Sequence, residues 1–572
     1  MSHARTLAKD QRFILDHLVD FDAVTHSGRF AGADAALVDA ILEGAARLCD
    51  EVVAPVNRAG DLTPARLEGG RVRASPGYAA AYREIAAGGW VGLAAPQAYG
   101  GMGLPFTLAT CVNEMLAGAC VSLQLKPLLS QGQIEALDHH ASDALKTLYL
   151  PKLISGEWSG TMNLTEPQAG SDVGALQCRA VPDGKGEQDG QGGWLVSGQK
   201  IFITWGDSDL VSNVCHLVLA RLPDAVPGVK GISLFLVPKF LPDAAGNPGA
   251  ANSLHVVSLE HKLGLHGSPT CVMQFDAAKG WLVGAAGQGM AAMFTMMNNA
   301  RLGIGMQGVG LGEAALQKAT RFAQDRVQGR TPDGSAGIIG HADVRRMLAE
   351  ARAGLFAARA IGLRCAAAID MAAATKDPAW AARAALLTPI AKAFGTDTGI
   401  SVADICLQVH GGMGYIEETG AAQYLRDARI TAIYEGTNGI QAMDLVGRKL
   451  ADNGEAALAL ITEIGHRAAV AMADQPELAA ALTGAALALE DATKRLLLMP
   501  LNARFAGAVS YLRAFALVLG GDAHLRAGQA DPARLPLARV MINRLLSAHQ
   551  GLLAAALAGA EGLYEVSADM LG

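Results

Sequence analysis

The residues best suited to chemistry fall in short, glycine-marked segments between apolar runs. Ile433-Tyr434-Glu435-Gly436-Thr437-Asn438-Gly439 sets one carboxylate in an apolar-flanked strand or turn, ahead of a helix expected over Ile440 to Leu450. A carboxylate kept from water has a raised pKa and works as a general base near neutral pH. On local chemistry alone, the same glutamate reads better as a surface residue paired with a nearby arginine of Arg426-Asp427-Ala428-Arg429. Met162-Asn163-Leu164-Thr165-Glu166-Pro167-Gln168-Ala169-Gly170-Ser171-Asp172 runs from a short strand into a turn. Gly170 permits close backbone approach, and Thr165 and Ser171 offer hydroxyls suited to a ring edge or a pyrophosphate; an ordinary strand-end turn also explains the segment. Lys200-Ile201-Phe202-Ile203-Thr204-Trp205-Gly206 sets two aromatics beside a threonine, to flank a planar cofactor or to pack a core. Leu407-Gln408-Val409-His410-Gly411-Gly412 ends an apolar helix in a glycine pair, either a helix cap or a backbone phosphate contact. Gly303-Ile304-Gly305-Met306-Gln307-Gly308 matches the dinucleotide fingerprint, but the stretch before it, Met290 to Arg301, reads as helix rather than strand. Close approach of two helices is the better account of those glycines.

These segments need elements to hold them. At 572 residues the chain is too long for one hydrophobic core, so two to four domains are expected. Hydrophobic residues are 51% and charged residues 18%, the balance of a folded chain. A net charge of -7 argues against a nucleic-acid partner. The eight cysteines stand singly with no C-x-x-C pair, so no metal site is expected. The start Met1-Ser2-His3-Ala4-Arg5 lacks an apolar leader, and no uninterrupted apolar run reaches the roughly 18–20 residues that span a bilayer. A soluble, cytoplasmic protein without a membrane partner is expected.

Helical periodicity marks the first 155 or so residues, broken at Tyr99 to Pro105. From Ser159 to Val283 the runs turn β-prone, as in His216 to Ala220 and Ile232 to Val237, with loops over Asp183 to Gly193 and Pro242 to Ala251. Strands without intervening helices predict an antiparallel sheet or barrel. Helical periodicity returns from Gly287 to Leu450, as in Glu350 to Met371, and 451–572 reads as a further bundle.

Taken in order, four segments resemble the acyl-CoA dehydrogenase family: Thr165-Glu166-Pro167 with Ala169-Gly170-Ser171-Asp172, Lys200-Ile201-Phe202-Ile203-Thr204, Gln408-Val409-His410-Gly411-Gly412, and Tyr434-Glu435-Gly436-Thr437. Each is weak alone; four in register are specific, within a match over about residues 80 to 450. Phe13 to Asp22, His261-Lys262-Leu263-Gly264 and Ser268-Pro269-Thr270 resemble a larger bacterial branch of the family. The resemblance implies an α+β, mainly α fold. Its domains are a helical N-terminal domain with an extension over 1–158 and a middle β-barrel or sheet domain over 159–285. A four-helix domain over 286–450 and an additional helical domain over 451–572 follow.

The resemblance also implies roles. FAD is the expected cofactor. Met162, Leu164, Thr165, Gly170 and Ser171 look like its binding stretch, with Ser171 also near the CoA pantetheine. Phe202, Ile203 and Thr204 flank the isoalloxazine, with Phe202 where the family often has tryptophan. Arg326, Gln328, Gln408, Val409, His410, Gly411 and Gly412 reach the flavin of a neighbouring subunit in an expected homodimer, and Thr437 and Asn438 touch it too. Arg301, Asn298 and Gly436 serve the substrate, with Asn298 where many members have aspartate. Some members carry the base just before the arginine matched by Arg301; here that residue is Ala300, which leaves Glu435 as the family-consistent base. The implied reaction is α,β-dehydrogenation of an acyl-CoA to a trans-2-enoyl-CoA, on a 3-(methylthio)propanoyl or short- to medium-chain thioester, with electrons passed to an electron-transfer flavoprotein. Two rivals share the fold: an oxygen-using oxidase and a nucleic-acid-binding stress protein. The near balance of acidic and basic residues in 451–572 speaks against the second.

Overall fold

From Trp158 to Val283 the β-branched and aromatic runs form strands, because such side chains pack well on a pleated surface. The computed structural model describes residues 3–184 and 193–572, so most of the loop expected over Asp183 to Gly193 lies outside the described residues. The strands of the main sheet are β1 (Trp158–Asn163), β2 (Arg179–Pro182), β3 (Trp194–Thr204), β4 (Asn213–Arg221), β5 (Ile232–Pro238), β6 (Leu254–Leu259) and β7 (Thr270–Val283), while Phe240–Pro242 and Pro248–Ala251 form a separate antiparallel pair at the loop expected over Pro242 to Ala251. They lie in the order β6-β7-β3-β2-β4-β1, and β5 pairs with both β7 and β4, closing five strands on themselves. Ile203, Val218, Phe235, Met273 and Phe275 fill the interior. The pairing is antiparallel as expected, except that β1 and the single β2 pair meet β4 in parallel. Residue patterning reports which face is buried and not which strand lies alongside, so this exception was not readable. A small hairpin, Arg66–Glu68 with Arg71–Arg73, also interrupts the region expected to be helical; it turns at Gly69 and Gly70, both at positive φ.

Contacts divide the chain into two units, 47–104 with 119–300, and 1–46 with 105–118 and 301–572. The first holds the sheet. The second is helical, and its main helices are α1 (Gly289–Asp325, from Arg301 onward), α2 (Ala342–Thr375), α3 (Pro378–His410), α4 (Asn438–Asp444), α5 (Glu455–Ala471), α6 (Pro476–Leu498) and α7 (Leu501–Ala530). The glycines of the false dinucleotide motif let α1 touch α3. A Cβ on Gly305 would sit 2.7 Å from Ala391 O, and one on Gly308 2.6 Å from Gly395 O. Buried charge ties this unit together: Arg359 donates to Glu114 at 2.7 Å and to Glu313 at 2.8 Å, and Gln11 donates to Glu114 at 2.8 Å. The turn from α2 to α3 uses Lys376 at positive φ, an Asp377 side-chain cap on Ala379 N–H and Pro378 in the first helical turn. Phe106–His140 and Leu501–Ala530 are long and apolar enough to cross a bilayer, but 94% and 56% of their apolar windows are buried inside the protein.

Candidate active site

In the sheet unit, β1 ends in a turn that is pinned from beneath. Lys200 on β3 donates to Glu166 Oε1 at 2.8 Å and to Leu164 O at 3.0 Å, with both charged side chains buried. Glu166 also accepts from the backbone N–H groups of Gln177 at 2.6 Å and Cys178 at 3.1 Å. Burial pushes this carboxyl up, but the Lys200 ammonium and the backbone donors outweigh it and hold the pKa below its ordinary value. The N–H of Ile201 donates to Thr165 O at 2.9 Å, which joins the turn to β3. Held this way, the turn shows Gly170 and Ser171 to solvent, and a Cβ on Gly170 would meet nothing within 4 Å. Met162 is buried, and Leu164 and Thr165 are half-buried. Near the end of β3, Ile203 points into the core while Phe202, at φ +60°, is 59% exposed. Thr204 O accepts from Thr161 Oγ1 at 2.8 Å, tying the ends of β1 and β3.

Glu435 lies in the helical unit, on the turn before α4. Its φ is +55°, a strained value for a residue with a side chain, and Gly436 follows at +86°. Thr437 caps α4, accepting from Ile440 N–H at 3.2 Å. From α3, the buried Lys392 donates to Gly436 O and to Asn438 Oδ1, each at 3.0 Å. Asn438 in turn donates to Thr396 Oγ1 at 3.0 Å and to Asp397 Oδ1 at 2.7 Å. Tyr434 Oη donates to Gln307 Oε1 at 2.5 Å. Thus the strained turn is anchored from α1 and α3. Burial pushes the Glu435 carboxyl up to about 7, against the pull of Arg301 and Lys392. Burial likewise draws Lys392 down to about 8, against Glu435 and Asp397. Arg426, a partner considered for Glu435 from sequence, instead bonds Glu417 at 3.0 Å. The backbone N–H of Glu435 has no hydrogen-bond partner among the described residues. A carboxylate titrating near neutrality, beside an unused N–H, can take a proton while that N–H receives developing negative charge on oxygen.

The other expected residues fall as follows. Asn298 is exposed and Arg301 is buried, one turn apart on α1. Arg326 and Gln328 are exposed beyond the end of α1, bonded to each other at 3.1 Å. Gln408 is exposed at the end of α3, whereas Val409 and His410 are buried, and His410 stacks on Phe322 at 4.3 Å. Gly411, at φ +58°, caps α3; it and Gly412 have open space where a Cβ would stand, so cap and open backbone coexist at this turn. The fold therefore gathers Glu435, Gly436, Thr437, Asn438 and Arg301 in one unit, and Met162 to Ser171 with Phe202 to Thr204 in the other. Sequence reasoning missed Lys392, Gln307 and the Glu166–Lys200 pair as site-building residues. A signal existed for Lys392: a charge inside the apolar run Ile390-Ala391-Lys392-Ala393-Phe394 must find a partner when the helix is buried.

Residues 38–157, 161–278 and 287–450 match the N-terminal, middle and C-terminal domain models of acyl-CoA dehydrogenases. A 3-methylmercaptopropionyl-CoA dehydrogenase of Ruegeria pomeroyi is 47% identical over 453 residues, 78% of this chain and 76% of that protein. A butyryl-CoA dehydrogenase of Syntrophomonas wolfei is 38% identical over 77% of this chain and 74% of that protein. An acyl-CoA dehydrogenase of Bacillus anthracis, solved with FAD, shares the fold with a TM-score of 0.73 at 20% identity, covering 92% of this chain and 88% of that one.

Proposed function

Because this chain belongs to the acyl-CoA dehydrogenase family and is an acyl-CoA dehydrogenase, we propose that Glu435 is its catalytic base. One observation carries the reading. Glu435 sits on a strained turn, with a carboxyl raised to about 7 and an unpartnered backbone N–H. The α-hydrogen of a thioester is too weak an acid for an unaided carboxylate. The Glu435 N–H supports a developing enolate oxygen, and acyl-chain burial excludes water. Glu435 then takes the α-proton, the β-hydrogen leaves as a hydride, and a trans-2-enoyl thioester results.

FAD is the proposed cofactor, and when bound it supplies the hydride acceptor. The residues present fit it. The exposed Phe202 ring offers an apolar face for a planar group, and the open backbone at Gly170, Gly411 and Gly412 leaves room for phosphates. Met162 to Ser171, Phe202 to Thr204, Thr437 and Asn438 would hold it. Arg326, Gln328, Gln408, Gly411 and Gly412, which are exposed, with Val409 and His410 buried behind them, would serve the cofactor of a second copy in a homodimer. Ser171, Asn298, Arg301 and Gly436 would contact the acyl-CoA. The chain reads as the three matched domains followed by a helical tail from 451, working in the cytoplasm and passing electrons to an electron-transfer flavoprotein. The 47% identity to the Ruegeria enzyme favours 3-(methylthio)propanoyl-CoA or a similarly short acyl-CoA as substrate.

The test is bleaching of the purified flavoprotein with a panel of acyl-CoAs, for wild type and Glu435→Gln. The variant should keep its flavin and bind substrate but lose turnover by several orders of magnitude; near-normal turnover would overturn the assignment. Hydrogen peroxide release without an added acceptor would point to oxygen as acceptor in place of the flavoprotein.

A further inference from the structure

Four guanidinium groups converge where the tail meets the amino-terminal turn of the helical unit. Arg364 on α2, Arg383 on α3, Arg467 on α5 and Arg526 on α7 line one cavity of about 190 Å³, along with the Leu18–Asp20 segment. Their carboxylate partners are Glu463 and Asp522, and both are already engaged. Asp522 takes Arg467 through both oxygens at 2.8 Å. Glu463 pairs with Arg383 and lies 3.6 Å from both Arg364 and Arg467. Arg526 spends two donors on main-chain oxygens, Leu18 O at 2.7 Å and His17 O at 2.9 Å. Asp20, at the rim, is exposed.

Arg364 is the least satisfied member. It is half-buried, carries five N–H donors, and among the described residues has one hydrogen bond, to Asp522 at 3.3 Å. Burial, and then the like charges of Arg467, Arg526 and Arg383, draw its pKa down to about 10 in spite of Asp522. Four cations thus share a confined space with two inner carboxylates. Repulsion between like charges in a poorly solvated cavity is relieved most directly by an anion with several acceptor oxygens. Guanidinium forks approaching from four helices suit a compact, multiply charged oxyanion better than a single carboxylate.

We propose that this cavity is an anion site that takes a small oxyanion of the phosphate class, bridging α2, α3, α5, α7 and the Leu18–Asp20 segment. Occupancy fastens the tail and the amino-terminal turn onto the helical unit. Because the folded chain binds and the unfolded chain does not, stability should rise with anion concentration.

The experiment uses the flavin-loaded full chain. Its Tm is followed against inorganic phosphate, with chloride exchanged to hold ionic strength constant, and phosphate binding is measured in parallel by titration calorimetry. Glycerol 3-phosphate and succinate form two further arms. A free-phosphate site responds to phosphate alone, a phosphate-ester site responds more strongly to glycerol 3-phosphate, and a response to succinate alone overturns the phosphate class. Wild type should show saturable binding and a Tm that climbs with phosphate. Arg383→Gln should weaken binding at least tenfold and flatten the Tm response. Arg513→Gln, which removes an exposed tail arginine paired with Asp397 outside the cavity, should keep both. No saturable binding by wild type overturns the proposal whether or not Arg383→Gln folds, and so does equal binding by wild type and Arg383→Gln.

Discussion

Replacing Lys392 with methionine removes the buried cation that anchors the base-bearing turn, and it should move the acid limb of activity. With its pKa at about 7, Glu435 is about half ionised at pH 7. Lys392, drawn to about 8, is still charged there and favours the ionised form. Loss of one such neighbouring charge is worth on the order of one pKa unit, about 1.4 kcal/mol. The ionised fraction at pH 7 then falls from about one half to about one tenth, a roughly fivefold loss that raising the pH restores. The sign follows from the role: a base works deprotonated, so a raised pKa costs activity on the acid side only. A second, pH-independent loss should accompany it, because Gly436 O and Asn438 each lose a 3.0 Å hydrogen bond that holds Glu435 at positive φ. The assay is kcat/KM against pH from about 5.5 to 9.5, which reports the free enzyme, with flavin content measured for every preparation. Lys392→Arg should restore the position of the limb more than the height of the plateau, since it keeps the charge but not the compact ammonium. A Lys392→Met enzyme with full flavin and an unchanged acid limb would refute the electrostatic argument. Glu435→Gln activity, measured alongside, separates that failure from a wrong base.

Lys200→Met strands the buried Glu166 carboxylate and should destabilise the protein by about 3–5 kcal/mol, read as a lower denaturant midpoint with earlier loss of flavin. In wild type the depressed Glu166 pKa contributes stability that is present above the unfolded value of about 4.3 and lost as pH falls through the folded one. An acid denaturation series should therefore show a shallower loss for Glu166→Gln than for wild type. Gly308→Ala places a methyl 2.6 Å from Gly395 O and should cost about 1–3 kcal/mol in urea unfolding. A neutral result there would mean that α1 and α3 separate easily.

Much of this protein was legible in one dimension because its signals are local. Period and composition placed the helical and β-prone stretches, and the missing strand before Gly303 exposed the dinucleotide motif as helix packing. The four ordered segments pointed to the family because each is a contiguous run whose backbone makes a turn or cap by itself. For Glu435 the local reading leaned toward a surface ion pair, since a glutamate beside glycine carries no mark of how far it is withdrawn from water.

What the tertiary structure decided are the partnerships between distant residues. Lys392 meets Gly436 across 44 positions, Lys200 meets Glu166 across 34 and Tyr434 meets Gln307 across 127. The parallel pairing of β1 with β4 and the four arginines around one cavity are of the same kind. Spacing along a chain fixes neither strand order nor which helix faces meet. A buried charge announces only that some partner exists, and packing alone supplies which one. So the sequence by itself determined the family, the class of fold and the candidate base. The fold determined what sets that carboxyl: it is half-buried on a strained turn, where loss of water pushes its pKa up and a lysine that no local pattern connects to it pulls the other way.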